Sequence, residues 1–427
     1  MVEILLINAP VTVSNHHARL SLPLGLAYIA SALMADGHRV SALDLNVSGL
    51  NHSRIAGIIE REHPDIVGIS AMTETITNGL AVAQTIKSVA PETIIVMGGA
   101  HPTILPFEVL GEDAVDYVVV GDGERAMVEL ASALRGDGPE LADVAGLGYT
   151  APEAHVNERR PLLHPDDLLP PARGIFPIEF YEEPYNVLTA TGSCPYRCPF
   201  CSASAVWEGR RNARSTRSIV EELRSLQRND GVDYVFFSDD IFTLDKTWVY
   251  ELLEEMKSLD FPMKWGCATR ADLVDPNLLH AMAAGGCQGV QYGVESGSQQ
   301  ILDTVKHIKK ERVLAAVDAA VAEGIEIACS FMVPFPDDTL ETIAETGAFM
   351  RELSDAGANL ILNYTCPFPG TYFWDHAEEL GLTILPTTWA EYDAKHVVME
   401  TRNLSAAQIQ GAVDKIVRDL GLRKATE

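Results

Sequence analysis

Three cysteines lie within eight residues of one another, in the run Gly192-Ser193-Cys194-Pro195-Tyr196-Arg197-Cys198-Pro199-Phe200-Cys201. The spacing is C-x3-C-x2-C. Thiolates this close on one loop can ligate three corners of a cubane iron–sulfur cluster. Soft sulfur donors select iron–sulfur or zinc over hard cations. The ligand count separates the two. A structural zinc site normally closes with four ligands, and no Cys or His stands in the fifty residues after Cys201. Three ligands leave one iron open to an exogenous chelate. Three buried or zinc-bound cysteines are the alternative. The chain has seven cysteines, and Cys267, Cys287, Cys329 and Cys366 read first as small buried hydrophobes. Cys366 lies just past the last predicted strand, in Tyr364-Thr365-Cys366-Pro367, and so is expected to face the site. Cys366, Tyr364 and Tyr372 are the candidate substrate contacts.

Strand–helix alternation must carry that loop. From residue 185 the predicted strands are Asn186–Ala190, Tyr234–Ser238, Met263–Ala268, Gly289–Val294, Glu326–Val333 and Asn359–Tyr364, with helices such as Ser218–Arg228 and Asp275–Ala284 between them. This rhythm predicts a partial β/α barrel over 185–370, with its active face at the carboxyl ends of the strands. The cysteine loop follows the first of these strands. Residues 371–427 form a mostly helical extension, with a helix over Ala406–Leu420 and a capping box from Ser405 and Gln408. Upstream, residues 1–150 alternate strands (Ile4–Asn8, Val40–Leu45, Ile66–Ser70, Thr93–Gly98, Tyr117–Val120) with helices (Leu24–Asp36, Ser53–Glu62, Asn78–Val89, Glu124–Leu134). Continuous Val/Ile runs between helices predict a parallel sheet covered on both faces. That is a doubly wound, Rossmann-like α/β domain with its ligand crevice at the strand carboxyl ends. Residues 151–184, rich in Pro and acid, read as a linker.

Composition narrows the function classes. The chain has 427 residues, 47% hydrophobic, with a formal net charge of −28. Such a surface repels phosphate backbones and anionic lipids, which disfavours nucleic acid and membrane partners. No apolar run reaches the ~18–20 residues of a membrane span, and the first residues lack the basic stretch of a signal peptide. A cytoplasmic protein with reduced thiols is expected. Arg210, Arg211, Arg214 and Arg217 stand out in this acidic chain, as a solvated helix entry or as an anion-holding group.

The cysteine motif and the barrel order resemble the radical S-adenosylmethionine (SAM) superfamily. That resemblance implies a 4Fe–4S cluster on Cys194, Cys198 and Cys201. Its fourth iron would be chelated by the amino and carboxylate groups of SAM, and reductive cleavage would give a 5′-deoxyadenosyl radical. It implies an external electron donor such as flavodoxin or ferredoxin. Residue by residue, Phe200 matches the aromatic placed against adenine. Ser238, Asp239 and Asp240 end the second strand, where the family contacts the methionyl amino group. Arg270 in Cys267-Ala268-Thr269-Arg270 is a candidate partner of the methionyl carboxylate. Glu295 and Ser296 in Gly293-Val294-Glu295-Ser296-Gly297-Ser298 resemble the ribose-binding segment. Core packing at Phe200 and helix capping at the paired aspartates are the plain readings of those positions. In Met332-Val333-Pro334-Phe335-Pro336-Asp337-Asp338, Val333 replaces a common glycine and Asp338 a common Glu, which leaves the adenine contacts at this edge open.

The first domain lacks Gly-x-Gly-x-x-Gly after its first strand, where Asn8-Ala9-Pro10 stands, so a dinucleotide is disfavoured. Its runs Leu22-Pro23-Leu24-Gly25-Leu26-Ala27-Tyr28-Ile29-Ala30, Gly37-His38-Arg39-Val40, Val67-Gly68-Ile69-Ser70, Gly98-Gly99-Ala100-His101-Pro102 and Gly121-Asp122-Gly123-Glu124 resemble the cobalamin-binding domain fused to one radical SAM subfamily. The implied contacts are Asn8, Pro10, Leu24, Gly25, Ser70, Gly98, Gly99, His101, Pro102, Gly121, Gly123 and Glu124. Small residues after strands let backbone approach a flat corrin and its tail. Taken singly, each Gly pair is ordinary turn chemistry. The Asp-x-His-x-x-Gly run of methionine-synthase-like domains is missing. His16, His17 and His101 are the nearest candidates for an axial ligand, and each reads first as a loop or edge histidine. Cobalamin without a histidine ligand is expected, with its tail buried in the first domain and its cobalt facing the barrel mouth.

The subfamily's commonest activity is methylation of an unactivated carbon or a phosphorus centre. Methylcobalamin donates to a substrate radical, and a second SAM remethylates cob(I)alamin. The implied acceptor is a small metabolite or biosynthetic intermediate. The alternatives are a cobalamin-dependent rearrangement or cyclisation without net methyl transfer, a radical enzyme whose first domain has lost cobalamin, and a cobalamin-binding sensor with a structural cluster.

Overall fold

The computed structural model describes residues 1–11, 20–192, 194–207 and 209–422. The chain forms two compact units. The first comprises residues 1–184 with two short returns, 205–207 and 388–390; the second holds residues 185–204, 208–387 and 391–427.

The first unit is built on a seven-stranded sheet of order β2-β1-β3-β4-β5-β6-β7. The strands are β1 (Glu3–Asn8), β2 (Arg39–Asp44), β3 (Ile66–Ser70), β4 (Ile94–Gly98), β5 (Tyr117–Val119), β6 (Leu147–Thr150) and β7 (Ala154–Val156). Its helices include α1 (Leu24–Ala35), α2 (His52–Glu62), α3 (Ile76–Val89), α4 (Ala100–Ile104) and α5 (Gly123–Arg135). The first five strands pair in parallel and the last two antiparallel. Side chains alternate across the sheet. Leu5, Ile7, Val67, Ile69, Ile95 and Met97 therefore pack against α2 and α3. Ile4, Leu6, Ile66 and Val96 pack against α1 and α5. Burial on both faces explains the unbroken apolar runs of the parallel strands. Residues 151–184, read as a linker, pack with this unit. β7 extends the sheet, and Phe176 and Tyr181 enter the core. The Tyr181 hydroxyl donates to Asp44 at 2.9 Å. β7 is short and largely exposed at the sheet edge, so it leaves no hydrophobic alternation to read.

The second unit contains six parallel strands whose spatial order follows the chain: β8 (Asn186–Leu188), β9 (Tyr234–Ser238), β10 (Lys264–Thr269), β11 (Cys287–Glu295), β12 (Glu326–Val333) and β13 (Asn359–Tyr364). The intervening helices are α6 (Thr216–Asp230), α7 (Lys246–Met256), α8 (Pro276–Ala284), α9 (Gln299–Val305), α10 (Lys310–Ala322) and α11 (Leu340–Asp355). This is the partial β/α barrel. Phe237, Trp265, Tyr292 and Phe331 are fully buried in its core. A short helix, α12 (Tyr372–Asp375), follows the last strand, and α13 (Ala406–Leu420) packs on α11. Ser405 and Gln408 form the expected capping box. Among the described residues no helix is long and apolar enough to cross a membrane.

Glycine lets one site-bearing turn approach its support. A Cβ on Gly297, just past β11, would lie 2.5 Å from Thr346 Cα and 2.8 Å from the Glu345 carbonyl oxygen of α11. A Cβ on Gly411 of α13 would meet nothing within 4 Å. Gly297→Ala is expected to lower the unfolding free energy by about 1–3 kcal/mol. Gly411→Ala is expected to raise it by about 0.5–1 kcal/mol. Denaturant unfolding of the two variants measures both effects.

Candidate active site

The cysteine loop leaves β8 through a short strand, Ala190–Gly192, that pairs antiparallel with Arg211–Ala213. The Cys201 amide donates to the Cys198 carbonyl at 3.0 Å, which tightens the turn. All three cysteines are free and half-buried. Burial pushes each thiol up, Cys201 to about 11. The protons must therefore leave as metal binds. Three sulfur donors stand on one loop, one short of the four that close a structural zinc site.

The two strand-end aspartates take different roles. Asp239 accepts from Thr189 Oγ1 at 2.7 Å and from Arg211 Nη2, and its other oxygen accepts the Ile241 amide at 3.1 Å. Asp240 accepts the Cys194 amide at 3.3 Å. Asp239 thus braces the frame, while Asp240 faces the cysteine loop. Ser238 ends β9 beside them. Arg211 is committed to Asp239, Arg214 to Glu222, and Arg217 to Glu221. The anion-holding reading of the basic run gains no support from these three pairings.

Arg270 also has partners already. Its Nε and Nη2 donate to the Asp272 carboxylate at 3.0 and 2.9 Å, and Nη2 donates to the Lys306 carbonyl at 3.1 Å. Its guanidinium lies 4.2 Å from the ring centroid of Tyr196 in the cysteine loop. The fork that the resemblance offers to a methionyl carboxylate also joins β10 to that loop. Glu295 has a left-handed backbone, φ 77°, at a register shift in β11. Lys306 Nζ donates to its Oε1 at 2.6 Å and to the Gly293 carbonyl at 2.5 Å. Such a conformation costs of order 1–3 kcal/mol and persists where surroundings impose it. Ser296 Oγ lies 3.2 Å from Thr346 Oγ1 and accepts the Ser298 amide at 3.1 Å, which fixes the turn.

Phe200 packs edge-on against Phe335, with centroids 5.6 Å apart, and near Phe373 at 6.5 Å. The Phe373 amide donates to the Pro199 carbonyl at 3.2 Å, so α12 holds the loop from the far side. Asp338 is buried, which pushes its pKa up to about 6, and it accepts from the Phe335 amide and Thr342. It braces that turn. Of the substrate candidates, Tyr364 is buried in the barrel core beside α13 and hydrogen-bonds Gln410 there. This removes it from the mouth. Cys366 is buried, with its Sγ 3.9 Å from the Tyr364 carbonyl. Tyr372 is half-exposed and stacks on His376 at 3.9 Å.

The first unit contains a cavity of about 510 Å³ at the carboxyl ends of its strands. That volume falls in the ~300–1,000 Å³ range of small-molecule sites. Asn8, Leu24, Gly25 and Ser70 line it, as do Gly98, Gly99, Gly121, Gly123 and Glu124. Gly99, with φ 99°, would place a Cβ 2.6 Å from the Ala71 carbonyl oxygen, and a Cβ on Gly123 would meet Ile29 at 2.7 Å. Glycine keeps this cradle open. Pro10, His101 and Pro102 do not line it. The Pro10 carbonyl accepts from Asn78. His101 is buried against Trp389, with Nδ1 3.3 Å from Thr73 Oγ1 and Nε2 3.7 Å from Glu108. Burial lowers its pKa. His16 and His17 lie outside the described residues.

The B12 binding domain family matches residues 15–131, and the Radical SAM superfamily matches residues 188–350. An uncharacterised methyltransferase of Pyrococcus horikoshii is 33% identical over 94% of this chain and 88% of its own length. The chain belongs to the cobalamin-dependent radical SAM enzymes. The anaerobic magnesium-protoporphyrin IX monomethyl ester cyclase of Rubrivivax gelatinosus is 29% identical over 94% of this chain and 74% of that protein. The hopanoid C-3 methylase of Methylococcus capsulatus is 26% identical, over 89% and 73%. The solved radical SAM methyltransferase TsrM of Kitasatospora setae shares the fold, with a TM-score of 0.77 at 20% identity over 99% of this chain and 89% of that one. The family's cofactors are cobalamin, a 4Fe–4S cluster and SAM. The residues fit them: three soft donors on one loop, and a glycine-lined cavity holding an unpartnered carboxylate oxygen of Glu124.

Sequence reasoning missed Tyr196, Asp272, Lys306 and Phe373. Their roles arise from contacts between strand ends and loops distant in sequence, and only Asp272, two residues after Arg270, offered a nearby signal. Arg270→Met and Tyr196→Leu are expected to couple by about 0.5–2 kcal/mol in a double-mutant cycle on unfolding, the size of a partly desolvated cation–π contact. Additivity within about 0.5 kcal/mol would show that the stack does no work.

Proposed function

We propose that this enzyme methylates an unactivated carbon of a small metabolite or biosynthetic intermediate. The observation that carries the reading is one chain holding a three-cysteine barrel loop and a glycine-cradled cavity, matched over 94% of its length by an uncharacterised methyltransferase. When bound, the cluster and SAM supply a 5′-deoxyadenosyl radical that removes hydrogen from the acceptor, and cobalamin supplies the methyl group. Cys194, Cys198 and Cys201 would hold the cluster and leave one iron free. Asp240 and the free Glu295 oxygen are the acceptor groups offered to SAM. Arg270 and Lys306 orient the loop and Glu295. Phe200, backed by Phe335 and Phe373, offers an apolar face that excludes water. Cys366 and Tyr372 remain the substrate-contact candidates. A one-electron donor such as flavodoxin or ferredoxin would reduce the cluster. The acidic surface argues against a nucleic acid acceptor.

The likeness to a cyclase makes ring formation without methyl transfer the second reading. Reconstituted enzyme, reductant, SAM bearing a deuterated methyl group and candidate acceptors separate the two. Methyl transfer predicts 5′-deoxyadenosine and S-adenosylhomocysteine together, with the label on product carbon. 5′-Deoxyadenosine without S-adenosylhomocysteine or labelled product would contradict it. Cys198→Ala is expected to abolish 5′-deoxyadenosine formation.

A further inference from the structure

The chain beyond α12 returns to the end of β13. The Tyr364 amide, last of that strand, donates to the Ala394 carbonyl at 2.8 Å. Carboxyl ends of barrel strands form the active face. The Tyr392 ring lies 6.2 Å from Phe368 and 6.2 Å from Trp374 of α12. Phe373, next to Trp374, holds the cysteine loop through the Pro199 carbonyl. The returning loop is tightly fixed. Ala394 has a left-handed backbone, φ 59°, which persists only where surroundings impose it. The buried Asp393 accepts the Lys395 amide on one oxygen and meets His396 Nδ1 with the other, both at 2.8 Å. Two polar atoms are left over. Among the described residues, neither Lys395 Nζ nor Thr365 Oγ1 has a hydrogen-bond partner, and both are buried. Thr365 follows Tyr364 and Lys395 follows Ala394, so the hydrogen bond at the strand end makes the two residues backbone neighbours. Buried polar atoms are nearly always partnered, so an orphan calls for an explanation. An enclosed ammonium without an acceptor is the costlier kind. Its nearest carboxylate in sequence, Asp393, is already occupied on both oxygens. Both orphans can donate, and an anion accepts from both.

We propose that Lys395, with Thr365 beside it, is an anion subsite at the carboxyl end of β13 that takes a carboxylate or phosphate group of the methyl acceptor. The inference rests on the methyl-transfer reading and narrows it: the acceptor is an acid or a phosphate ester, not an uncharged lipid. A chain of net charge −28 repels such an acceptor at long range. An enclosed ammonium supplies the attraction locally, where water does not screen it. Thr365 adds a neutral donor that fixes the orientation of the anion.

The test follows thermal unfolding of the full-length, reconstituted protein under anaerobic conditions. The probes are inorganic phosphate, acetate and SAM, with chloride at matched ionic strength as control. Lys395→Met keeps most of the stem and removes the charge. Without added anion it is expected to unfold roughly 2 °C above wild type, because an unmet buried charge is gone. Phosphate or acetate should bind wild type about tenfold more tightly than Lys395→Met, the scale of one charged hydrogen bond, with Thr365→Val in between. Phosphate stabilises proteins non-specifically, so the variant is the reference for it. SAM should bind wild type and Lys395→Met alike. The proposal is overturned if Lys395→Met unfolds below wild type, which marks a structural lysine, or if both anions act equally on wild type and variant. It is also overturned if Lys395→Met loses SAM, whose own carboxylate would then be the anion held. If the anion results hold and no acid or phosphate ester gains a methyl group, the methyl-transfer reading fails and the subsite stands.

Discussion

Arg211 reaches from the strand behind the cysteine loop to Asp239 at the end of β9, and Thr189 donates to the same carboxylate. Arg270 grips Asp272 and covers Tyr196, and Lys306 grips Glu295. Buried charges cost several kcal/mol unless they are paired and hydrogen-bonded. Closed pairs therefore brace the loop before any cofactor arrives. Preorganisation of this kind spares the enzyme from ordering the loop during the reaction. It also leaves few acceptors open, notably Asp240 and one oxygen of Glu295.

The first unit solves the opposite problem. It must keep a space open at the strand ends, where side chains would otherwise close it. Gly99 and Gly123 do this because a Cβ would strike Ala71 or Ile29. Asn8 is turned aside by Asp44, which Tyr181 also holds. Tyr181 lies in the stretch that looked like a linker, so the cradle depends on chain well beyond the predicted domain.

The strands were readable from apolar residues set between helices, buried on both faces in Ile66–Ser70 and alternately buried in Tyr234–Ser238 and Glu326–Val333. The edge hairpin was not readable, because its exposed residues carry no period. The cysteines were legible from type and spacing alone. Part of the cavity lining was legible too, from the order of several runs of small residues after strands rather than from any one glycine. The commitments of Asp239, Arg270 and Tyr364 were not legible. A residue's type announces what it can bind, but the partner that reaches it first is fixed by strand register and by loops distant in sequence. His101 shows the same limit: its run resembles a cofactor contact, yet its ring is walled in by Thr73, Glu108 and Trp389.

The chemistry depends on Cys194, Cys198 and Cys201 holding a cubane with one iron left for SAM. Electron paramagnetic resonance of the anaerobically reconstituted, reduced protein, recorded with and without SAM, reads this out. A cubane at these cysteines gives a reduced 4Fe–4S signal that changes when SAM is added and that is absent in Cys198→Ala. Bound zinc with no such signal, or a signal indifferent to SAM, would contradict it.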